Sequence, residues 1–160
     1  MVYVCGDEDA ATVGPLDALT PDEWDRRAER VLRDALAALR DAHRELSPRG
    51  GRIVLVAPTA GIPGAPELVP FVTAVEGARA MAKSAARQWG AAGIAVNTVL
   101  VPLELLVPSA AGATSFLSPP AIGAPTLAHV AAAVVAFVDP SRHGVTGATL
   151  VVDGGSVMAP

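Results

Sequence analysis

The sequence predicts an α/β fold in which about four strands form a buried parallel sheet with flanking helices. Three observations predict it. The stretch Gly51–Leu100 reads as strand, loop, helix, turn and strand in unbroken order. Both of its strands, Arg52–Ala57 and Ile94–Val101, are nearly continuous apolar runs, the pattern of strands covered on both faces. The helix between them is long enough to be the crossover that joins two parallel strands.

Taken in order, Val2–Cys5 is a short strand, and Asp7, Glu8 and Asp9 after it form a solvated acidic loop. That cluster lacks the spacing and the glycine of a calcium-binding loop. Thr20-Pro21-Asp22-Glu23 starts a helix: Thr20 caps, Pro21 suits the first turn, and Glu23 completes a capping box. The helix is expected to run to Leu46 and to bury Trp24, Ala28, Val31, Leu32, Ala35, Leu36, Leu39 and Leu46. Ser47-Pro48 and Gly50-Gly51 end it, and His43 in its last turns is expected to be exposed and favoured by the helix dipole. Pro58 to Pro66 is loop. Glu67 to Trp89 is helix, burying Leu68, Phe71, Val72, Val75, Ala78, Ala82, Ala85 and Trp89, with Pro70 tolerated in the first turn. Gly90 and Gly93 stop it. Residues 102–125, rich in Pro, Ala, Ser and Gly, are a long loop of the kind that is either functional or disordered. Thr126 to Val138 is a helix with Leu127, Val130, Ala131, Val134, Val135 and Val138 on its apolar side, and Ala148–Val152 is the last strand.

The 160 residues suit one domain, 1–160, with a core of its own. A net charge of -4 offers nothing to nucleic acid or an anionic membrane. The one cysteine, Cys5, excludes an internal disulfide and fits a reducing compartment. No apolar run reaches the length of a membrane span and no signal segment opens the chain, so a cytoplasmic protein is expected. Mean hydropathy of +0.42 is high for this size. Alanine and buried strands account for part of it, and apolar surface hidden in subunit contacts for the rest.

Four phrases carry a family resemblance: Gly51-Arg52-Ile53-Val54 with Ala60-Gly61, the helix phrase Gly77…Ala82-Lys83-Ser84, Gly93-Ile94-Ala95-Val96-Asn97, and Val145 through Gly155. In that order and spacing they resemble the short-chain dehydrogenase/reductase family, ketoacyl reductases in particular. The resemblance implies a truncated Rossmann-like, doubly wound sheet corresponding to the C-terminal half of such a reductase, with Val2–Cys5 as its fourth strand. It implies that the glycine-rich cofactor loop of the first βα unit is absent. It also implies where catalytic groups would sit. The family's Tyr-x-x-x-Lys pair falls at Phe71 and Val75, and its substrate-orienting serine at Pro58, with Thr59 beside it. The helix-kinking asparagine falls at Val31, the Pro-Gly pair after the next strand at Val101-Pro102, and a later threonine at Leu106. Phenylalanine has no proton to give and valine no charge to lend.

The sequence therefore assigns no catalytic, cofactor-binding or metal-binding residue and no cofactor. Cys5 lacks a base, and His129 and His143 lack partners at metal or triad spacing. Asp153 is read as part of the closing strand and its turn. Thr59, Thr73 and Glu76 are the residues able to line a pocket where a site would be. The leading expectation is a catalytically inactive subunit that associates with itself or with a full-length reductase of the family, in a structural or regulatory role. Dimer contacts would use the two long helices, Thr20–Leu46 and Glu67–Trp89, and a second contact the last helix, the last strand and the tail Ser156–Pro160. Two readings stay open beside it: a small-molecule-binding protein or cofactor-independent enzyme such as a cyclase, with its site in the cleft between Pro58–Pro66 and Pro102–Pro125, and an NAD(P)-dependent oxidoreductase whose cofactor site is completed by another chain.

Overall fold

The computed structural model describes residues 1–141 and 144–158. His143 and the last two residues of the tail lie outside the described residues. Four strands, β1 (Val2–Val4), β2 (Gly51–Pro58), β3 (Ile94–Val101) and β4 (Thr149–Val151), form one sheet in chain order, all parallel. The central pair is in register over its whole length, from Gly51 opposite Ile94 to Pro58 opposite Val101. β1 lies at one edge.

Helices cover both faces. On one, α2 (Arg30–Leu46) and α3 (Val69–Trp89) pack over Ile53, Leu55, Ala57, Val96 and Leu100. On the other, α4 (Leu127–Val138) sets Val130 and Ala133 against Val54, Val56, Val99 and Val101. Successive residues of β2 therefore feed opposite cores, the reason its sequence has no polar alternation. Gly77 lets α2 and α3 approach, because a Cβ there would meet Leu32 Cδ2 at 2.6 Å. Gly93 ends the turn after α3 at φ 72°, a conformation costly for any residue with a side chain.

The first long helix is continuous but not uniform. A short α1 (Pro21–Trp24) carries the Thr20–Glu23 capping box, a π turn follows over Asp25–Glu29, and α2 completes it. Ala28 inside the π turn is fully buried.

Two expected faces need correction. Leu36 is exposed, although the stripe Val31, Ala35, Leu39 and Ala42 around it is buried. It sits one position round from Ala35, on the outer flank of the helix pair. In α4, Leu127 and Val135 are exposed, as is Ala131. That helix has no charged residue to mark its outer side, so periodicity could not phase it.

Two polar devices fix the ends of the sheet. Asn97, buried in β3, donates from Nδ2 to the Val145 carbonyl and accepts the Ala148 N–H at Oδ1, both at 3.0 Å. It thereby sets the register of β4. On the other side Asp7 accepts from Arg30 Nη1 at 2.7 Å and from the Ala10 N–H, tying the loop after β1 to the start of α2. Partial burial pushes the Asp7 carboxyl up, but the Arg30 and Ala10 hydrogen bonds and the Arg30 charge outweigh it and hold the group below its usual range.

Asn97→Ala leaves the Val145 carbonyl and the Ala148 N–H unpaired, with an expected loss of about 2 kcal/mol in urea unfolding and faster amide exchange confined to β4. For Asp7 the ionised form favours the fold. Its contribution is complete above the unfolded pKa and is lost as pH falls through the lower folded one. Asp7→Asn is expected to lower stability by about 1 kcal/mol at pH 7, and its deficit against the parent protein to narrow below about pH 4.

Candidate functional site

In an open parallel sheet, ligands bind at the carboxyl ends of the strands. Here the ends of β2, β3 and β4 border one cavity of about 240 Å³. Thr59 follows β2, Pro102 and Glu104 follow β3, and Asp153 and Ser156 follow β4. Thr114, Ser115, Leu117, Ser118, Pro119 and Pro120 form its outer wall. They belong to the 102–125 segment, which is built from two short 3-10 helices, Leu103–Leu105 and Pro108–Thr114. Buried Leu103, Val107 and Ala110 hold that segment down, and the Ile122 N–H donates to the Gly154 carbonyl at 3.1 Å.

The lining is hydroxyl-rich and acidic. Thr59 is 1% exposed, and Glu104 and Asp153 bring carboxylates. Asp153 is engaged by its own turn, accepting the Gly155 N–H at 2.9 Å and the Val157 N–H at 2.8 Å. Among the described residues no lysine or arginine lines the cavity. These residues do not fit a nicotinamide dinucleotide. Its pyrophosphate would meet carboxylates instead of free N–H groups or cations, and the volume falls short of the ~300–1,000 Å³ usual for ligand pockets.

Of the three residues expected to line a pocket, only Thr59 does. Thr73 is exposed on α3. Glu76 is forked by Arg79 Nη1, at 2.7 and 2.6 Å, and packs against Gly61, where a Cβ would collide with it. The sequence places a candidate cleft between Pro58–Pro66 and Pro102–Pro125, where the cavity lies, without singling out Glu104, Thr114, Ser115 and Ser118. Their only signal was that they lie in the long segment after β3.

Of the positions at which the resemblance placed catalytic groups, Phe71, Val75 and Val31 lie in the core, whereas Pro102 borders the cavity. Phe71 and Val75 are completely buried beneath α3, and neither borders the cavity. Val31 is buried just after the π turn, so the irregular helix is present without its asparagine. Leu106 is half-buried between the two cores. The one tyrosine, Tyr3, stands on β1, and burial first, then nearby Cys5, Asp34 and Asp7, pushes its hydroxyl up to about 12. Burial alone pushes the Cys5 thiol to about 12, which makes it an inert core group. His129 closes a capping box at the start of α4 by accepting the Thr126 N–H. His43 stacks on Trp89 with ring centroids 4.6 Å apart, half-buried where an exposed ring was expected. No group of three or more metal-ligating side chains occurs among the described residues, and no described helix is long and apolar enough to cross a membrane.

The sequence matches the family described as enoyl-(acyl carrier protein) reductase over residues 5–157. Among solved structures it is similar to a gluconate 5-dehydrogenase from Burkholderia cenocepacia J2315, solved with NADP and tartrate. That match has 21% identity and a TM-score of 0.81, and covers 97% of this chain and 64% of that one. A short-chain dehydrogenase/reductase from Burkholderia xenovorans matches at 25% identity and TM-score 0.75, covering 97% and 62%. Sorbitol-6-phosphate 2-dehydrogenase SrlD from Erwinia amylovora matches at 19% and 0.73, covering 93% and 66%. The chain thus spans just under two thirds of the length of these structures. No curated protein matches it.

Val75→Lys puts an unpaired ammonium into a fully apolar site. The expected outcome is a loss of more than about 3 kcal/mol, or failure to fold, whereas Val75→Ile stays within about 1.5 kcal/mol of the parent by urea unfolding.

Proposed function

The chain belongs to the short-chain dehydrogenase/reductase family, and from that membership we propose that it is a catalytically silent subunit that acts by association. The observation that carries this reading is the burial of Phe71 and Val75, where the family resemblance calls for a proton donor and a cation. Side chains that pack the core in place of the reactive pair make α3 a structural helix. Its outer flank supports the associative half of the reading. Leu36, Leu39, Met81, Ala85 and Trp89 line an apolar groove of about 320 Å³ between α2 and α3, with Arg40 and Gln88 at its rim. A groove of that composition on an open helix pair is suited to a facing helix pair, from a second copy or a full-length reductase of the family.

A second reading is favoured by the cavity at the strand ends. A self-contained pocket bounded by Thr59, Glu104 and Ser118 suits a small neutral or cationic molecule, and a binding or cofactor-independent activity would reside there.

One preparation tests the first reading. The purified chain is expected to give no NADH or NADPH oxidation with a panel of ketones and ketoacyl thioesters. It is expected to sediment as a defined oligomer that Leu36→Glu with Met81→Glu reduces to a monomer. Hydride transfer by the unmodified chain overturns the silent reading, and a monomer in every preparation, with no reductase of the family co-purifying from the native host, overturns the associative one.

A further inference from the structure

We propose that the cavity at the amino ends of the strands binds a small phosphorylated molecule by its phosphate group. The inference is independent of the silent-subunit reading, which uses the α2–α3 face, and of the Thr59 cavity at the opposite end of the sheet. The turn into β2, the turn between α3 and β3 and the segment before β4 border about 410 Å³ there, within the ~300–1,000 Å³ usual for ligand pockets. Glycine makes the space. Gly50 and Gly93, both at φ 72°, bring two turns so close that a Cβ on Gly50 would meet Gly93 O at 2.9 Å. At Gly90 and Gly144 nothing lies within 4 Å of where a Cβ would stand, so both leave the opening clear.

The polar side chains of the lining all donate. They are Arg49, Arg52 and Thr146, and among the described residues no carboxylate lines the space. Arg52 is half-buried, gives Nη2 to the Pro140 carbonyl at 3.3 Å, and forms no ion pair among the described residues. Arg49 gives one N–H to Glu45 Oε1 at 3.1 Å, but that pair is 69% and 71% exposed and holds the guanidinium weakly. A guanidinium has several N–H groups, so each arginine keeps donors to spare. The Thr146 hydroxyl accepts the Val96 N–H at 3.1 Å, which fixes its oxygen and leaves its own proton without an acceptor among the described residues. In a chain of net charge -4, two guanidiniums and a hydroxyl lining one space select an anion. Arginine forks match the oxygens of a phosphate, whose double charge answers both cations. Ile94, Pro140 and Val145 add apolar wall for an organic body attached to it. At the opposite end of the sheet, Glu104 and Asp153 would repel the same ligand.

The test titrates the isotope-labelled full chain with phenyl phosphate, inorganic phosphate and succinate at constant ionic strength, and follows the backbone amide shifts. The expected result is saturable shifts at Gly90, Gly93, Ala95 and Thr146, with phenyl phosphate at least about threefold tighter than inorganic phosphate. Arg52→Gln and Arg49→Gln are each expected to weaken phenyl phosphate at least about fivefold by removing charge-assisted hydrogen bonds. Arg33→Gln, at an exposed position on α2, is expected to change it less than about twofold. The ligand-free amide spectrum of each variant reports its fold, and Arg49, whose ion pair is exposed, gives the variant least able to disturb it. Shifts that do not saturate overturn the proposal, as do shifts centred on Thr59 and Ser118. Unchanged affinity in either cavity variant overturns it too, and so does an equal loss in Arg33→Gln, the mark of diffuse charge. Succinate binding as tightly as phenyl phosphate overturns the choice of phosphate.

Discussion

The eight-residue ladder between β2 and β3 is the constraint on which the other layers depend. Its side chains alternate between two cores, so one ladder holds α2 and α3 on one face and α4 on the other. Ile53, Val54, Val99 and Leu100 are completely buried, each contributing about 1.5–3 kcal/mol by its removal from water. Net domain stability is only about 5–15 kcal/mol, so no layer survives a slip of this register. The edge strands are three residues each and borrow their order from the ladder, β1 with the help of Asp7 and β4 with the help of Asn97.

The same ladder determines what the strand ends can do. It delivers Thr59, Pro102 and, through β4, Asp153 to one cavity. The chemistry gathered there is hydroxyl and carboxylate, while the chain's one thiol and one phenol, Cys5 and Tyr3, are both held protonated by burial. Such a lining can orient a molecule by hydrogen bonds, and among the described residues it carries no lysine or arginine to stabilise a developing oxyanion.

How much of this was legible in the sequence differs by layer. The strand and helix order was readable because buried parallel strands and a long amphipathic crossover leave strong patterns, and because a cap such as Thr20 marks a helix start. The burial of Phe71 and Val75 followed from their place in the stripe of α3. Leu36 was assigned to the wrong side because a neighbour one position round the helix satisfies a loose hydrophobic period equally well. Leu127 and Val135 failed for a different reason: a helix apolar all round has no phase to read. The segments that wall the cavity were legible but its individual residues were not, because Thr114, Ser115 and Ser118 are brought to it by loop folding over a buried Leu103 and Val107, a long-range effect without local spacing.

The π turn at Asp25–Glu29 bears on how this helix tolerates changes in chain length. A π turn holds one residue more than the α ladder requires, stored as slack and stabilised here by tight packing at Ala28. Losing one codon within those five positions would tighten the turn to an ordinary α turn while leaving the Thr20 cap and the Val31 stripe at their own ends. Elsewhere in the helix the same loss would rotate every later residue by roughly 100° and turn the core stripe toward water. The segment is thus a place where length can vary within a lineage while the three-layer architecture is kept.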